Sequence, residues 1–250
     1  MSRLSGLFYA ATDLLSGMWT AVWVERCPVC SDRPHNESGN YFCGRCLDSF
    51  RKPGPEQCTY CGLPLPESRG EDPACGTCRS EKPRFEKARS AGVYEGALAH
   101  AIKTFKFQYM RRMAPALAHL AEMTWDRDFG DENVDGILPV PLHPSRLSER
   151  GFNQSADIGR HIALHGGVPF LHGVLVRTRP TQEQAGLTLA QRRENVRGAF
   201  KVFKASKING KTLLLIDDVM TTGATVNECA RILIKAGAKR VLVLTVARAV

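Results

Sequence analysis

Apolar and polar residues along the C-terminal two thirds of the chain follow two alternating patterns. Short apolar runs predict strands, and apolar positions three or four residues apart predict helices. Alternating strands and helices favour an α/β fold with a mostly parallel sheet that helices cover on both faces. The predicted strands are 88–94, 135–140, 171–176, 199–203, 212–216 and 240–246, and the predicted helices are 97–107, 111–124, 153–165 and 224–236.

The first 25 residues carry a separate helical pattern. Apolar positions from Leu4 to Val22 form one stripe. The polar face has almost no Lys or Arg, which disfavours a membrane surface, so we expect this helix, assigned to residues 1–25, to pack against the protein. We find neither a secretory signal nor an apolar run of about 18 residues, which predicts a cytoplasmic protein without an integral membrane segment.

Eight of the nine cysteines lie in residues 26–82, a segment rich in Pro and Gly. They form four C-x2-C pairs, a pattern that favours metal over disulfides. Closed sites of four thiolates predict a double zinc ribbon with two structural Zn²⁺ ions, and an iron–sulfur centre is the less favoured alternative. Sequential pairing is simplest, although the spacing also permits interleaved pairing. The candidate ligands are Cys27, Cys30, Cys43, Cys46, Cys58, Cys61, Cys75 and Cys78.

The positive charge is unevenly placed. The net charge is +9, from 34 Lys and Arg against 25 Asp and Glu. Residues 1–82 hold 9 basic and 10 acidic side chains, so the whole excess falls in the third predicted domain, residues 83–250. This distribution suits a polyanionic ligand, either a small phosphorylated molecule or a nucleic acid, and it also suits a solubilising surface.

The segment KTLLLIDDVMTTGAT, residues 211–225, gives the most specific indication of a ligand. An apolar strand ends in two carboxylates, and small and hydroxyl residues then open a helix, an arrangement that can close backbone amides around a phosphate. The carboxylates repel phosphate but accept hydrogen bonds from hydroxyls, so the pair of features predicts a ribose 5-phosphate. The candidate residues are Asp217, Asp218, Thr221, Thr222, Gly223, Ala224 and Thr225.

This segment resembles the signature for 5-phosphoribosyl-1-pyrophosphate (PRPP) in type I phosphoribosyltransferases. Residues 138–163 and 178–200, with the paired cysteines, resemble the ComF family of competence-associated proteins, so the likeness spans nearly the whole chain. It implies a type I phosphoribosyltransferase fold behind a double zinc ribbon. It also implies a pyrophosphate-binding turn and a mobile loop of guanidinium groups suited to pyrophosphate with Mg²⁺. The turn is Pro139, Val140, Pro141 and Leu142, and the loop residues are Arg177, Arg179, Gln182, Arg192, Arg193 and Arg197.

Three functions fit these features. The first is a phosphoribosyltransferase that uses PRPP and Mg²⁺ with an unknown acceptor. The second, implied by the resemblance to ComF, is handling of single-stranded DNA alongside cytoplasmic DNA-uptake proteins. In the third, PRPP is a regulatory ligand without turnover. A DNA surface would use interleaved basic and aromatic residues before the main strands, namely Lys103, Lys106, Phe107, Tyr109, Arg111 and Arg112.

Overall fold

The computed structural model describes residues 26–32, 42–66, 73–107, 110–182 and 186–250. The predicted helix of residues 1–25 lies outside these ranges. The described residues fall into two compact units, one within residues 1–47 and the other within 48–250. In the ranges just given, no helix combines the length and apolar character that a membrane span requires.

The larger unit is built on a sheet whose four strands are all parallel, which confirms the predicted fold class. The spatial order is first, sixth, fifth and second strand. The third and fourth strands pair antiparallel as a separate two-stranded sheet. In chain order the strands are β1 (Lys87–Val93), β2 (Gly136–Pro139), β3 (Leu175–Arg177), β4 (Phe200–Val202), β5 (Thr212–Met220) and β6 (Arg240–Arg248).

Helices cover both faces of the four-stranded sheet. In the described residues they are α1 (Gly44–Asp48), α2 (Gly76–Ser80), α3 (Gly96–Phe107), α4 (Ala114–Asp128), α5 (Pro144–Arg150), α6 (Gln154–His165), α7 (Leu189–Val196) and α8 (Ala224–Lys235), with short 3₁₀ turns at Arg111–Met113 and Ala205–Lys207. Helices α4 and α6 pack together and contact the strands, while α8 contacts β4, β5 and β6. Strands buried on both faces explain the unbroken apolar run Leu213–Ile216, in which every residue is fully buried.

The structure corrects two predicted strands. The strand expected at 171–176 begins only at Leu175 and belongs to the small antiparallel sheet, because Gly173 turns the chain with a φ of 71°. The strand expected to end at residue 216 continues to Met220, so Asp217 lies within β5. Main-chain pairing with β6 continues there, and this pairing does not depend on apolar side chains.

The second zinc ribbon packs directly on β1. The amide of Ala88 donates to the carbonyl of Tyr60 over 2.6 Å. The four cysteines from Cys58 to Cys78 belong to the same buried apolar cluster as residues of β5, β6 and α8. This ribbon is therefore part of the core of the larger unit.

Glycine is required where this ribbon meets β1. Gly62 has a φ of +63°, and a Cβ there would lie 2.7 Å from the Ala88 carbonyl oxygen. Because both the backbone conformation and the space exclude a side chain, we expect Gly62→Ala to lower the free energy of unfolding by roughly 1–3 kcal/mol. Urea unfolding of the zinc-loaded protein measures this change.

Gly76→Ala is the matched control, because Gly76 lies in the same ribbon and its added Cβ would meet nothing within 4 Å. It should stay within about 0.5 kcal/mol of the parent protein. Equal losses in the two variants would contradict the close approach of the ribbon to β1.

Candidate functional site

The eight paired cysteines form two clusters, and the pairing is sequential. Within each cluster the sulfur atoms all lie within 4.8 Å of one another. Sulfur atoms around one tetrahedral zinc are roughly 3.8 Å apart, given Zn–S bonds of about 2.3 Å. The separations of Cys30 from Cys43, 3.5 Å, and of Cys61 from Cys75, 3.7 Å, fit that geometry. Two structural Zn²⁺ ions therefore fit the ribbon, in Cys27, Cys30, Cys43 and Cys46 and in Cys58, Cys61, Cys75 and Cys78.

The local backbone favours the thiolate that zinc requires. Burial raises the pKa of Cys58, but backbone amides, first that of Cys61 and then that of Cys75, lower the pKa further, to about 7. The Cys75 amide donates to Cys58 Sγ over 3.3 Å. Cys27 in the first cluster has the same balance, with a pKa of about 7. The backbone thus favours the thiolate form at one cysteine of each cluster.

The candidate phosphate loop joins β5 to α8. Gly223 has a φ of 80° and lies at the N-cap position of α8. The hydroxyl of Thr222 accepts a hydrogen bond from the Ala224 amide over 3.4 Å. The loop and Asp217 line a small cavity of about 30 Å³. The start of a 12-residue helix therefore faces a space for a small group, with amide donors and the positive end of the helix dipole nearby.

The two carboxylates beside this loop have different partners. Lys106 of α3 places its ammonium nitrogen 2.8 Å from Asp218 Oδ1, and both side chains are largely buried. Asp217 Oδ1 accepts from the Ser155 hydroxyl over 2.9 Å and from the Asp218 amide over 3.0 Å. Three elements, α3, β5 and α6, thus meet at the acidic pair.

The pKa of Asp217 is raised from 3.8 to about 7, first by burial and then by the charge of Asp218. Between these two values the folded state keeps a proton that the unfolded state has lost, so this group makes the free energy of unfolding fall as the pH rises. We expect the parent protein to lose on the order of 1–3 kcal/mol relative to Asp217→Asn between pH 4 and pH 8. Urea unfolding of both proteins across this range is the measurement, and a constant difference would contradict the raised pKa.

The predicted pyrophosphate turn, Pro139 to Leu142, lies next to the acidic pair. The Val140 amide donates to the carbonyl of Ile216 over 2.9 Å. Asn153 donates from its side chain to the Val140 carbonyl over 3.1 Å and also caps the start of α6. Ser155, two positions after Asn153, donates its hydroxyl to the carboxylate of Asp217. The start of α6 therefore fixes both the turn and this carboxylate.

The first half of the predicted arginine loop is braced by its own contacts. Arg177 lies over the ring of Phe200, 5.5 Å from its centroid. Arg179 donates to the carbonyls of Asn195 and Arg197 over 2.9 and 3.0 Å. The Gln182 amide donates to the Asn195 side chain over 3.1 Å. Arg179 and Gln182 thus bond to Asn195 and Arg197, in the second half of the loop.

The three arginines in the second half of the loop have different partners. Arg193 forms an ion pair with Glu81 over 2.6 Å, and the exposed Arg197 lies 3.6 Å from Glu194. Arg192 donates to the carbonyl of Leu187 over 2.9 Å. Arg192 and Arg193 line a cavity of about 340 Å³ together with the residues from Met220 to Ala224 and parts of the second ribbon. Two of the six predicted loop residues thus share a cavity with the phosphate loop.

The residues predicted for a DNA surface differ in their surroundings. Lys106 is committed to Asp218, and Arg111 makes two hydrogen bonds to the buried Asp157, over 2.6 and 3.0 Å. Lys103 and Arg112 are exposed. The side chain of Phe107 and all of Tyr109 lie outside the described residues. The inward position of Lys106 removes it from the predicted surface.

Sequence reasoning assigned no role to three residues that act on the site. Ser155 and Asn153 lie in residues 138–163, the segment that resembles the ComF family, and Asn before a helical pattern signals a cap. Arg248 is buried at the end of β6 and donates to the carbonyl of Met220 over 3.1 Å. No pattern in the sequence marks a residue that reaches the site from another strand.

Comparisons with known proteins agree with this architecture. Residues 161–249 match the model of the phosphoribosyl transferase domain, and residues 18–80 match the double zinc ribbon domain. The chain is 30% identical over 228 residues to competence protein F of Haemophilus influenzae, covering 90% of this chain and 97% of that protein. It is 31% identical to the DNA utilization protein YhgH of Escherichia coli K12, covering 76% and 83% of the two chains.

Two further matches are more distant. Competence protein ComFC of Bacillus subtilis is 25% identical, with 78% of each chain covered. A solved structure of the allosteric regulatory enzyme of purine biosynthesis is 22% identical with a TM-score of 0.37, covering 53% of this chain and 25% of that one. The parallel sheet with flanking helices is the type I phosphoribosyltransferase fold. With its two cysteine clusters and its likeness to competence protein F over most of the length of both proteins, the chain belongs to the ComF family.

Proposed function

We propose that the protein binds PRPP with Mg²⁺ and transfers or recognises its phosphoribosyl group. The observation that carries this proposal is the juxtaposition of the acidic pair Asp217 and Asp218 with the amide-rich loop Thr221–Thr225 at one edge of the sheet. A loop suited to phosphate next to acceptors suited to hydroxyls matches a ribose 5-phosphate.

Each proposed contact uses backbone amides or carboxylates that already lie at this edge of the sheet. The amides from Gly223 to Thr225 would hold the 5-phosphate, and the carboxylates of Asp217 and Asp218 would accept from the ribose hydroxyls. Lys106 neutralises Asp218 in the free protein. A hydroxyl that binds Asp218 must therefore share this carboxylate with Lys106, whose ammonium nitrogen lies 2.8 Å from Asp218 Oδ1.

Pyrophosphate and Mg²⁺ would lie on the other side of the acidic pair. The turn from Pro139 to Leu142 is fixed to β5 through Val140. Because Asp218 is occupied by Lys106, we propose that Mg²⁺ is held mainly by the pyrophosphate oxygens, as Mg²⁺ commonly is with phosphate substrates. When bound, it would neutralise charge on the departing pyrophosphate. Release of Arg179 and Arg193 from their present partners would let loop guanidiniums approach the same group.

The names of the relatives suggest a wider role. We propose a part in the uptake or use of DNA, since the relatives include a competence protein and a DNA utilization protein. The alternative is a single-stranded DNA-handling protein for which PRPP is a regulatory ligand. The excess of basic residues in 83–250 favours either form. Nine cysteines free of disulfides and a metabolite ligand support a cytoplasmic location.

The predicted domain division, residues 1–25, 26–82 and 83–250, is also a proposal. The second ribbon packs in the core of residues 48–250. In that position the ribbon forms one wall of the cavity of about 340 Å³ beside the phosphate loop. We propose that an acceptor or a second ligand would meet the ribbon here.

Calorimetry with PRPP and Mg²⁺ tests the binding proposal. We expect Asp217→Asn to weaken PRPP binding at least about tenfold, because an amide donates where a hydroxyl also needs to donate. Asp131→Asn, at an exposed position, is the matched control and should bind as the parent does. Absence of PRPP binding by the parent protein would refute the proposal.

A pyrophosphate-release assay with varied acceptors separates the two forms of the proposal. Release that Asp217→Asn abolishes would establish transfer. PRPP binding without release, together with salt-sensitive binding of an oligonucleotide in fluorescence anisotropy, would favour the regulatory form.

A further inference from the structure

Arg248 ties the end of β6 to the start of the phosphate loop. Its side chain is only 6% exposed. One guanidinium nitrogen, Nη1, donates to the carbonyls of Met220 over 3.1 Å and of Ala249 over 2.6 Å, and also to that of Thr221. Met220 is the last residue of β5, and Thr221 is the first of the loop. The path of the backbone into the loop is thus fixed by one buried side chain.

A buried guanidinium needs a compensating negative charge. Among the described ion pairs, none includes Arg248, although the structure pairs many of the other arginines with carboxylates. Its Nε is buried without a hydrogen-bond partner in the same set of residues. Carbonyl oxygens satisfy donors, but they do not balance a full positive charge.

The second cysteine cluster lies on the same cavity as Arg248. Arg248 lines the same cavity as Cys61, Cys75 and Cys78. Four thiolates around one Zn²⁺ carry a formal charge of about −2. The zinc-loaded cluster therefore supplies the charge that Arg248 lacks.

We propose that Arg248 is a positioning residue that couples zinc occupancy of the second cluster to the conformation of the phosphate loop. The thiolates that zinc holds ionised attract the guanidinium, and the guanidinium holds the carbonyls of Met220 and Thr221 by hydrogen bonds. The functional meaning of this coupling rests on the proposed binding of phosphate by the loop. The coupling itself is a property of the ligand-free protein and is tested there.

Arg89 provides the matched control. It is half-buried, it lies in β1, and its Nη1 donates to the carbonyls of Thr59 and Ala88 over 3.2 and 2.8 Å. Thr59 lies between two of the zinc ligands. Arg89 therefore shares the electrostatic role toward the cluster, but its hydrogen bonds go to the ribbon and β1.

Two rates measured on the full-length, zinc-loaded protein without PRPP test the coupling. The first is zinc release to a colorimetric chelator, with the phase from the second cluster identified in a Cys43→Ser background. The second is hydrogen exchange at the amides of Thr221 and Thr222. In Arg248→Met we expect both rates to rise about tenfold. In Arg89→Met we expect faster zinc release with unchanged exchange in the loop.

Arg248→Lys separates charge from hydrogen bonding. Lysine keeps the positive charge but lacks the forked donors, so zinc release should stay near the parent rate while exchange in the loop rises. This variant also keeps the test decisive if Arg248→Met fails to fold. An unchanged zinc-release rate in Arg248→Met, or loop exchange that rises equally in Arg89→Met, would overturn the proposal. Because PRPP is absent, a failure here is distinct from a failure of PRPP binding.

Discussion

Replacing Cys58 with serine is expected to unfold the larger unit of the protein at 37 °C. Cys58 is fully buried, and its cluster lies in the same core as residues of β5, β6 and α8. A serine hydroxyl is a poor zinc ligand, so the variant loses most of a binding energy that is also folding energy. The expected loss is at least about 5 kcal/mol, comparable with the whole stability of a typical domain.

The matched change in the first cluster should act differently. Cys43 is also buried, but its cluster belongs to the compact unit of residues 1–47. We expect Cys43→Ser to remove one zinc ion and to leave the main unfolding transition within about 1 kcal/mol of the parent. Circular dichroism on heating, with zinc counted by atomic emission, measures both effects. Equal losses of stability from the two substitutions would contradict the conclusion that the second cluster, and not the first, lies in the core of the larger unit.

Lys106→Met is expected to cost about 3 kcal/mol at pH 8 and less at pH 5. Lys106 is the cation for two neighbouring carboxylates, of which Asp218 is 9% exposed. Without it, Asp217 and Asp218 repel each other in a buried site. Protonation relieves that repulsion, so the penalty should shrink as the pH falls.

A second substitution tests whether the charge is the cause. Lys106→Met combined with Asp218→Asn removes both members of the ion pair and leaves one carboxyl, Asp217. We expect the double variant to recover at least about half of the lost stability at pH 8, because the repulsion is gone. Urea unfolding at the two pH values is the measurement. A penalty for Lys106→Met that does not depend on pH would point to packing of its methylenes instead.

Local patterns in the sequence carried much of the fold and the outline of the site. The apolar run Leu213–Ile216 predicts a strand buried on both faces, and the structure confirms it. Four helices of the described residues were missed, α1, α2, α5 and α7, because all of them are short. The start of α7 nevertheless has a signal in the sequence, since Thr188 and Gln191 form a capping box there.

What the sequence could not supply were contacts between distant segments. The spacing of cysteines permitted two pairings, and only the path of the chain through each ribbon selects the sequential one. Lys106 reads as a surface residue beside other basic residues, yet it is the partner of Asp218, more than a hundred positions later. Arg248 reads as one more residue of a terminal strand. Such roles depend on the tertiary arrangement, which no local propensity encodes.

The placement of the second ribbon decides where this chain can be shortened. Removal of residues up to 47 takes away one compact unit and leaves the other. Removal up to residue 82 would strip four buried cysteines from the shared core and uncover Phe85, which is now 3% exposed. We therefore expect the smallest independently folding piece with the phosphate loop to begin near Asp48. The sequence presents the double zinc ribbon as a separate module, but the second half of the ribbon is a structural part of the larger unit.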